Sequence, residues 1–443
     1  MKNRDHRFTP EQTSNKYRTE QQVDRDRILY CPHLARLAEI TQVRSIDGGV
    51  LVHNRLTHSL KVAQLARRIA EKLESDQSEL SKTLGVDPDA AEAAGLAHDM
   101  GHPPFGHIAE YELNRLVREK GVADGYEGNA QTFRIVATLT VGDTDVTSQK
   151  GFLPGLNLTR ATLNGILKYP WVHGDNPDPD KAHKWGAYET ERAIFEDARL
   201  ETELPARIRS VEAEIMNWAG DITYAIHDMT DFYCAGLIPL HLLAAGAQQA
   251  DNDSAGISAE VSGSALKRFL IDTFKRREDM APNRAKYERA VLQALKYANV
   301  PMPYDGTHAQ DRDLWSYASV LIAEYIDAIE LVAPETSADG RSVKIKDSAI
   351  LQTDILKEIT RQYVIEHSDL ATIQYGQRKM IRELFQIFHD AIESKQYNLF
   401  PIGFQELIRD APGVPAARWT ADYISGLTER QVLRLHQRLL NPS

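Results

Sequence analysis

Residues 97–107 read AHDMGHPPFGH and hold His98, Asp99, His102 and His107 among Gly101, Pro103, Pro104 and Gly106. Imidazoles and carboxylates at this density suit cation binding or proton transfer near neutral pH. The preceding DAAEAAGLA reads as helix, which the glycines and prolines cannot continue. His98 and Asp99 therefore fall in a last helical turn, and His102 and His107 follow on a stiff, turned segment. Adjacent helical residues point about 100° apart, so this pair reaches one ion only at a terminus or across a groove and cannot fill its shell. NRLTHSL supplies His58 at the start of an amphipathic helix, and WAGDITYAIHD supplies Asp221 at the start of another. Such a mixed donor set suits Mn, Fe, Co, Zn or Mg, and positions left open to water suit hydrolysis. The His-Asp pair recurs at His227-Asp228 and at His389-Asp390, where charged neighbours read as a solvated helix face.

The elements that must carry these groups are mostly helical. In HSLKVAQLARRIAEKL, Val62, Leu65, Ala66, Ile69 and Leu73 recur at three- and four-residue steps, with charges off that stripe. NAQTFRIVATL, SYASVLIAEYIDAIELV and QRKMIRELFQIFHDAI follow the same period. Strand candidates are few: GGVLVHNR as a short hairpin and RSVKIKD as an edge strand. The expected class is all-α. Loops are expected at 173–186 and 247–265, both rich in Gly, Pro, Ser, Asn and Asp. The expected division is an arm over 1–27 with its first 16 residues mobile, a catalytic core over 28–246, a linker over 247–265, and a helical region over 266–443 packed on the core.

The 443 residues include two cysteines, Cys31 and Cys234, which exclude a disulfide framework and a thiolate zinc site. No apolar run approaches the roughly 20 residues of a membrane span, and the N-terminus lacks an apolar core, so a cytoplasmic protein is expected. With 52 Lys plus Arg against 63 Asp plus Glu, the net charge of −11 disfavours a chain devoted to sequence-independent DNA binding. A polyphosphate ligand would need its cations concentrated at one place.

Five motifs in order, NRLTHSLKVAQLAR, GLAHDMGHPPFGH, GNAQTFRI, GLNLTRATLNGILKYPW and DITYAIHD, resemble those of the HD-domain deoxyguanosinetriphosphate triphosphohydrolase family. YRTEQQVDRDRILY, LARLAEITQV and YVIEHSDLATIQYGQRKMIRELF extend the resemblance over most of the chain. It implies an all-helical HD core whose divalent metal is held by His58, His98, Asp99 and an aspartate of the DITY segment, here Asp221. It implies attack at the α-phosphorus of a deoxynucleoside triphosphate, giving a deoxynucleoside and inorganic triphosphate. A divalent ion lowers the pKa of bound water toward ~7 and withdraws charge from a phosphoryl oxygen. The leaving 5′-alkoxide needs a proton, which an imidazole with a pKa near ~6.5 can give. His107 matches the family's catalytic histidine, with Glu110 at i+3 to orient it. By the same matching, His102 and Tyr224 contact phosphate, Arg55 contacts the triphosphate or the base, Asn129, Gln131 and Arg134 line the pocket, and Gln42 and Asp228 meet the deoxyribose 3′-hydroxyl. Lys168 and Lys184 are further candidate cations, although each reads first as solvent-facing. A homo-oligomer, a tetramer or hexamer, is implied, with dNTP activators at subunit contacts; single-stranded DNA binding, known in some relatives, is not favoured by the acidic balance.

One position departs from the family. Many members carry two adjacent aspartates before Ile-x-Tyr, and the first binds metal; here Gly220 stands in that place and Asp221 follows. One residue of helix turns the carboxylate by about 100°. Three readings follow: a dNTP triphosphohydrolase, a weakly catalytic nucleotide sensor or oligomeric regulator with an altered metal site, and a phosphohydrolase acting on monophosphates or cyclic nucleotides.

Overall fold

The computed structural model describes residues 3–11, 17–42, 54–140, 155–200, 205–252, 265–366 and 368–440. Helices dominate, and the named strands among these residues are Ile329–Leu331 and Val343–Ile345, an antiparallel pair with Ile329 opposite Ile345.

The Arg55–Asp76 helix starts where the Asn54 side chain accepts the Thr57 N–H at 2.9 Å, and it buries Val62, Leu65, Ala66, Ile69 and Leu73. The Pro88–Ala97 helix is capped by Asp87 and is almost wholly buried alanine, glycine and leucine. These two helices meet without side chains between them: a Cβ on Gly95 would fall 2.7 Å from Ala63 Cα. That approach sets the start of one helix beside the end of the other, which brings His58 and His98 together. The Val211–Thr223 helix packs across both and buries Val211, Ile215, Trp218 and Ile222.

Among the described residues the two largest hydrophobic clusters each draw residues from both sides of the 247–265 segment. One runs from Val62 to Val364, the other from Ile28 to Val432.

Several sequence expectations are corrected. Residues 3–11 are not loose: Arg7, 6% exposed, donates at 2.6 Å to Asp24 Oδ1 and to the Asn157 carbonyl. The helical period expected through Val332 stops at Ile326, because Ile329–Leu331 is drawn into the strand pair with Val343–Ile345. Residues 247–252 continue the Leu240–Asn252 helix and Ala265 opens the next, so these parts of the expected linker are helical; the rest of it, 253–264, lies outside the described residues. The hairpin expected in GGVLVHNR also lies mostly outside them, although Asn54 bridges to Thr41. His389 is buried and stacks on Phe385, while Asp390 alone faces solvent.

Candidate active site

Among the described residues, His58, His98 and Asp99 offer donor atoms within 4.8 Å of one another. His98 caps the Pro88–Ala97 helix, and its Nδ1 lies 2.7 Å from the Gly95 carbonyl. Donation from Nδ1–H fixes the tautomer and leaves the Nε2 lone pair 3.4 Å from Asp99 Oδ1. Donors that share an ion through bonds of about 2.1 Å stand roughly 3 to 4 Å apart, so this pair fits a divalent cation. Burial pushes the His98 imidazole down to about 4, against the opposing pull of Asp99, so it is neutral at pH 7 as a ligand must be. Asp99 is pushed up by its own burial, but His102, His98 and Arg55 overcome this and hold it well below the carboxylate range. Its Oδ2 is taken by Arg55 Nη1 at 2.7 Å, which leaves Oδ1 to face the imidazoles.

The fourth expected ligand is elsewhere. Asp221 is half-buried and pairs at 3.1 Å with Lys357 of the Asp347–Thr360 helix, and it is not part of the donor group. The one-residue rotation from the Gly220 position turns its carboxylate toward that helix. A Cβ on Gly220 would meet nothing within 4 Å. Asp228, fully buried, instead stands beside His58, its Oδ1 3.5 Å from His58 Nδ1. It closes a π-helical turn that Tyr224 opens. Burial and the Asp228 charge together raise the Tyr224 hydroxyl above its ordinary value.

A second constellation adjoins the first. After Met100 the chain turns through Phe105 and Gly106, whose φ values of +68° and +59° lie in the left-handed region, before the His107–Glu119 helix begins. Gly101 is required, since a Cβ there would fall 2.1 Å from the Gly128 carbonyl. His107 is exposed, and its Nδ1 lies 2.7 Å from Oε2 of buried Glu110. His102 bridges the two groups: its Nδ1 lies 3.1 Å from Asp99 Oδ1 and its ring centroid 5.4 Å from that of His107. Burial, then Arg55, lowers the His102 imidazole, which favours its neutral form.

Other predicted residues have different roles. Arg134 is 2% exposed and gripped by Asp422, at 2.8 Å, and by Glu191. Gln131, fully buried, donates to the same Asp422 at 2.9 Å, and Asn129 donates to Glu127 at 2.8 Å. Gln131 and Arg134 are therefore engaged with buried carboxylates, while Asn129 is half-buried beside Glu127. Gln42 borders the undescribed 43–53 segment, and its carbonyl lies 3.5 Å from Arg55 Nη2. Lys168 is half-buried. Lys184 reaches Glu110 Oε1 at 3.1 Å and Glu127 Oε1 at 2.9 Å.

Sequence reasoning missed Arg36, whose Nη2 donates to the carbonyls of Met100 and His102, both at 2.8 Å, and whose Nη1 donates to that of Leu427 at 3.0 Å. It also missed Lys357 and Asp422, whose partners lie far away in the chain. Glu127 carried a readable signal as a carboxylate just before a helix, and it accepts the Ala130 N–H at 3.0 Å.

Residues 55–139 match the HD domain and residues 343–438 the phosphohydrolase-associated domain. Over 98% of its length the chain is 32% identical to a deoxyguanosinetriphosphate triphosphohydrolase-like protein of Streptomyces coelicolor, covering 95% of that protein. A protein of the same description from Corynebacterium efficiens is 33% identical over 93% of this chain and 89% of its own. One from Haemophilus influenzae is 28% identical over 94% and 91%. No helix among the described residues is long and apolar enough to cross a membrane.

Proposed function

Since the chain belongs to the HD-domain deoxyguanosinetriphosphate triphosphohydrolase-like family, we propose that it hydrolyses deoxynucleoside triphosphates to deoxynucleoside and inorganic triphosphate. The observation that carries this reading is the adjacency of a His58, His98 and Asp99 donor group to the His107–Glu110 pair through His102. A divalent ion such as Mn, Mg, Co, Fe or Zn held by the first group would supply Lewis acidity to a phosphoryl oxygen. The chain's own residues then have separate tasks. Arg55, His102 and Tyr224 bind and orient the phosphates. His107 donates Nδ1–H to Glu110, which presents Nε2 outward to give a proton to the leaving 5′ oxygen. Glu110 fixes that ring orientation, and the Asp228 carboxylate stands 3.5 Å from His58 Nδ1 as its electrostatic neighbour. Gln42 remains the candidate for the sugar hydroxyl. The assembly is a homo-oligomer.

The test is product identification by mass spectrometry across the four dNTPs with Mn, Mg and Co. Deoxynucleoside with intact triphosphate is expected; inorganic phosphate as the sole phosphorus product overturns the reading. The engagement of Asp221 by Lys357 favours one second reading, a nucleotide-binding regulator with little turnover. Tight dNTP binding without triphosphate release would establish it.

A further inference from the structure

We propose that Lys184 is a positioning residue for the His107–Glu110 pair, working through Glu110 and never on the substrate; this rests on the functional reading above. Lys184 comes from the 173–186 loop, but its backbone is fixed. Its carbonyl accepts the Trp171 indole N–H at 2.6 Å, Val172 bridges to Ala187, and Gly186 sits where a Cβ would fall 2.1 Å from the Tyr169 carbonyl. The ammonium is thus delivered to one place, between two buried carboxylates.

Glu110 uses both oxygens: Oε2 receives His107, while Oε1 meets Lys184 and accepts the Gly128 N–H at 3.2 Å. Glu127 caps the Gly128–Arg134 helix and accepts Asn129 and Lys184 on its Oε1. Without the cation that both carboxylates meet, each negative charge would raise the other's proton affinity. Burial pushes both up; the hydrogen bond from His107 and the Lys184 charge take Glu110 well below the carboxylate range, whereas Glu127 stays raised despite Lys184. The groups facing this pair are His102, His107, Tyr126, Tyr188 and Lys184. A lysine serving triphosphate would offer its ammonium to the cleft. Lys184 is instead committed to two carboxylates, at 3.1 Å and 2.9 Å.

The test is Lys184→Met in the full chain, with folding checked by thermal melting. We expect kcat to fall about tenfold or more, part of the ~10²–10⁴ that acid–base catalysis supplies, with KM within about twofold. The acid limb of kcat/KM moves to higher pH, and Lys184→Arg restores most of the rate. A tenfold rise in KM with kcat intact overturns the proposal, since Lys184 would then bind substrate. If Lys184→Met does not fold, Lys184→Gln, which keeps a donor without charge, is read in the same way. Should the wild-type protein release no triphosphate, the functional reading fails by itself, and the lysine contact is still decided by modification of exposed His107 with diethyl pyrocarbonate across pH. An apparent pKa displaced by about half a unit or more supports the contact, equal to about 0.7 kcal/mol of coupling, and coincident profiles sink it.

Discussion

Metal affinity in a set of carboxylate variants separates the geometry at the helix junction from the pattern expected of the family. Asp221 is paired with Lys357 at 3.1 Å and about one-third exposed, so Asp221→Asn removes a half-buried ion pair and no donor. The cost is about 0–1 kcal/mol of stability, and Mn affinity is expected to stay within about twofold. Asp228→Asn is different, because that carboxylate stands 3.5 Å from the imidazole of His58, a proposed ligand. Groups so placed are worth about 10–100-fold in metal affinity, and loss of a direct donor in Asp99→Asn costs more. Gly220→Asp adds a carboxylate where a Cβ meets no atom within 4 Å, and a tenfold gain, about 1.4 kcal/mol, is expected. Competition with a fluorescent chelator, checked by electron paramagnetic resonance of free Mn, reads all four without substrate. A tenfold or larger loss in Asp221→Asn would refute the reasoning, since it would mean the helix start rotates to bring that side chain onto the ion.

Three further outcomes follow. His107→Asn and Glu110→Gln should each lower kcat by about 10²-fold or more while Mn affinity holds; equal loss of metal binding would merge two sites that the structure keeps distinct. Arg134→Met leaves Asp422 and Glu191 buried without their cation, so unfolding in urea should report a loss of about 3–5 kcal/mol, whereas a pure rise in KM would return Arg134 to the substrate pocket. His33 and His98 are both lowered to about 4 by burial, so between that pH and ~6.5 the unfolded chain binds protons that the folded chain does not. Stability present above pH ~6.5 should therefore fall as pH drops toward 4, by up to about 1.4 kcal/mol per unit for each group; a flat profile in urea titrations would contradict the burial of both rings.

Local pattern made much of this legible. The apolar stripe from Val62 to Leu73 is the buried face of its helix, and the glycines and prolines after Asp99 mark a real turn. His58 and His98 could be paired from sequence because each sits at a predicted helix end. What escaped was long-range charge. An arginine in GNAQTFR looks the same whether it meets a phosphate or an aspartate, and here it meets an aspartate 288 residues away. Lys357 lies 136 residues from Asp221, and helical periodicity cannot show which side of the helix a neighbouring element will occupy. His389 misled for the converse reason: charged neighbours on its helix do not keep an imidazole in water when Phe385 offers a ring to stack on.

Arg36 knots carbonyls at Met100 and His102 to one at Leu427. A fragment ending short of Leu427 would release one arm of that knot, and the histidine-bearing turn would slacken although no reacting group had been removed. The segment around Leu427 thus works as a tether on the histidine-bearing turn.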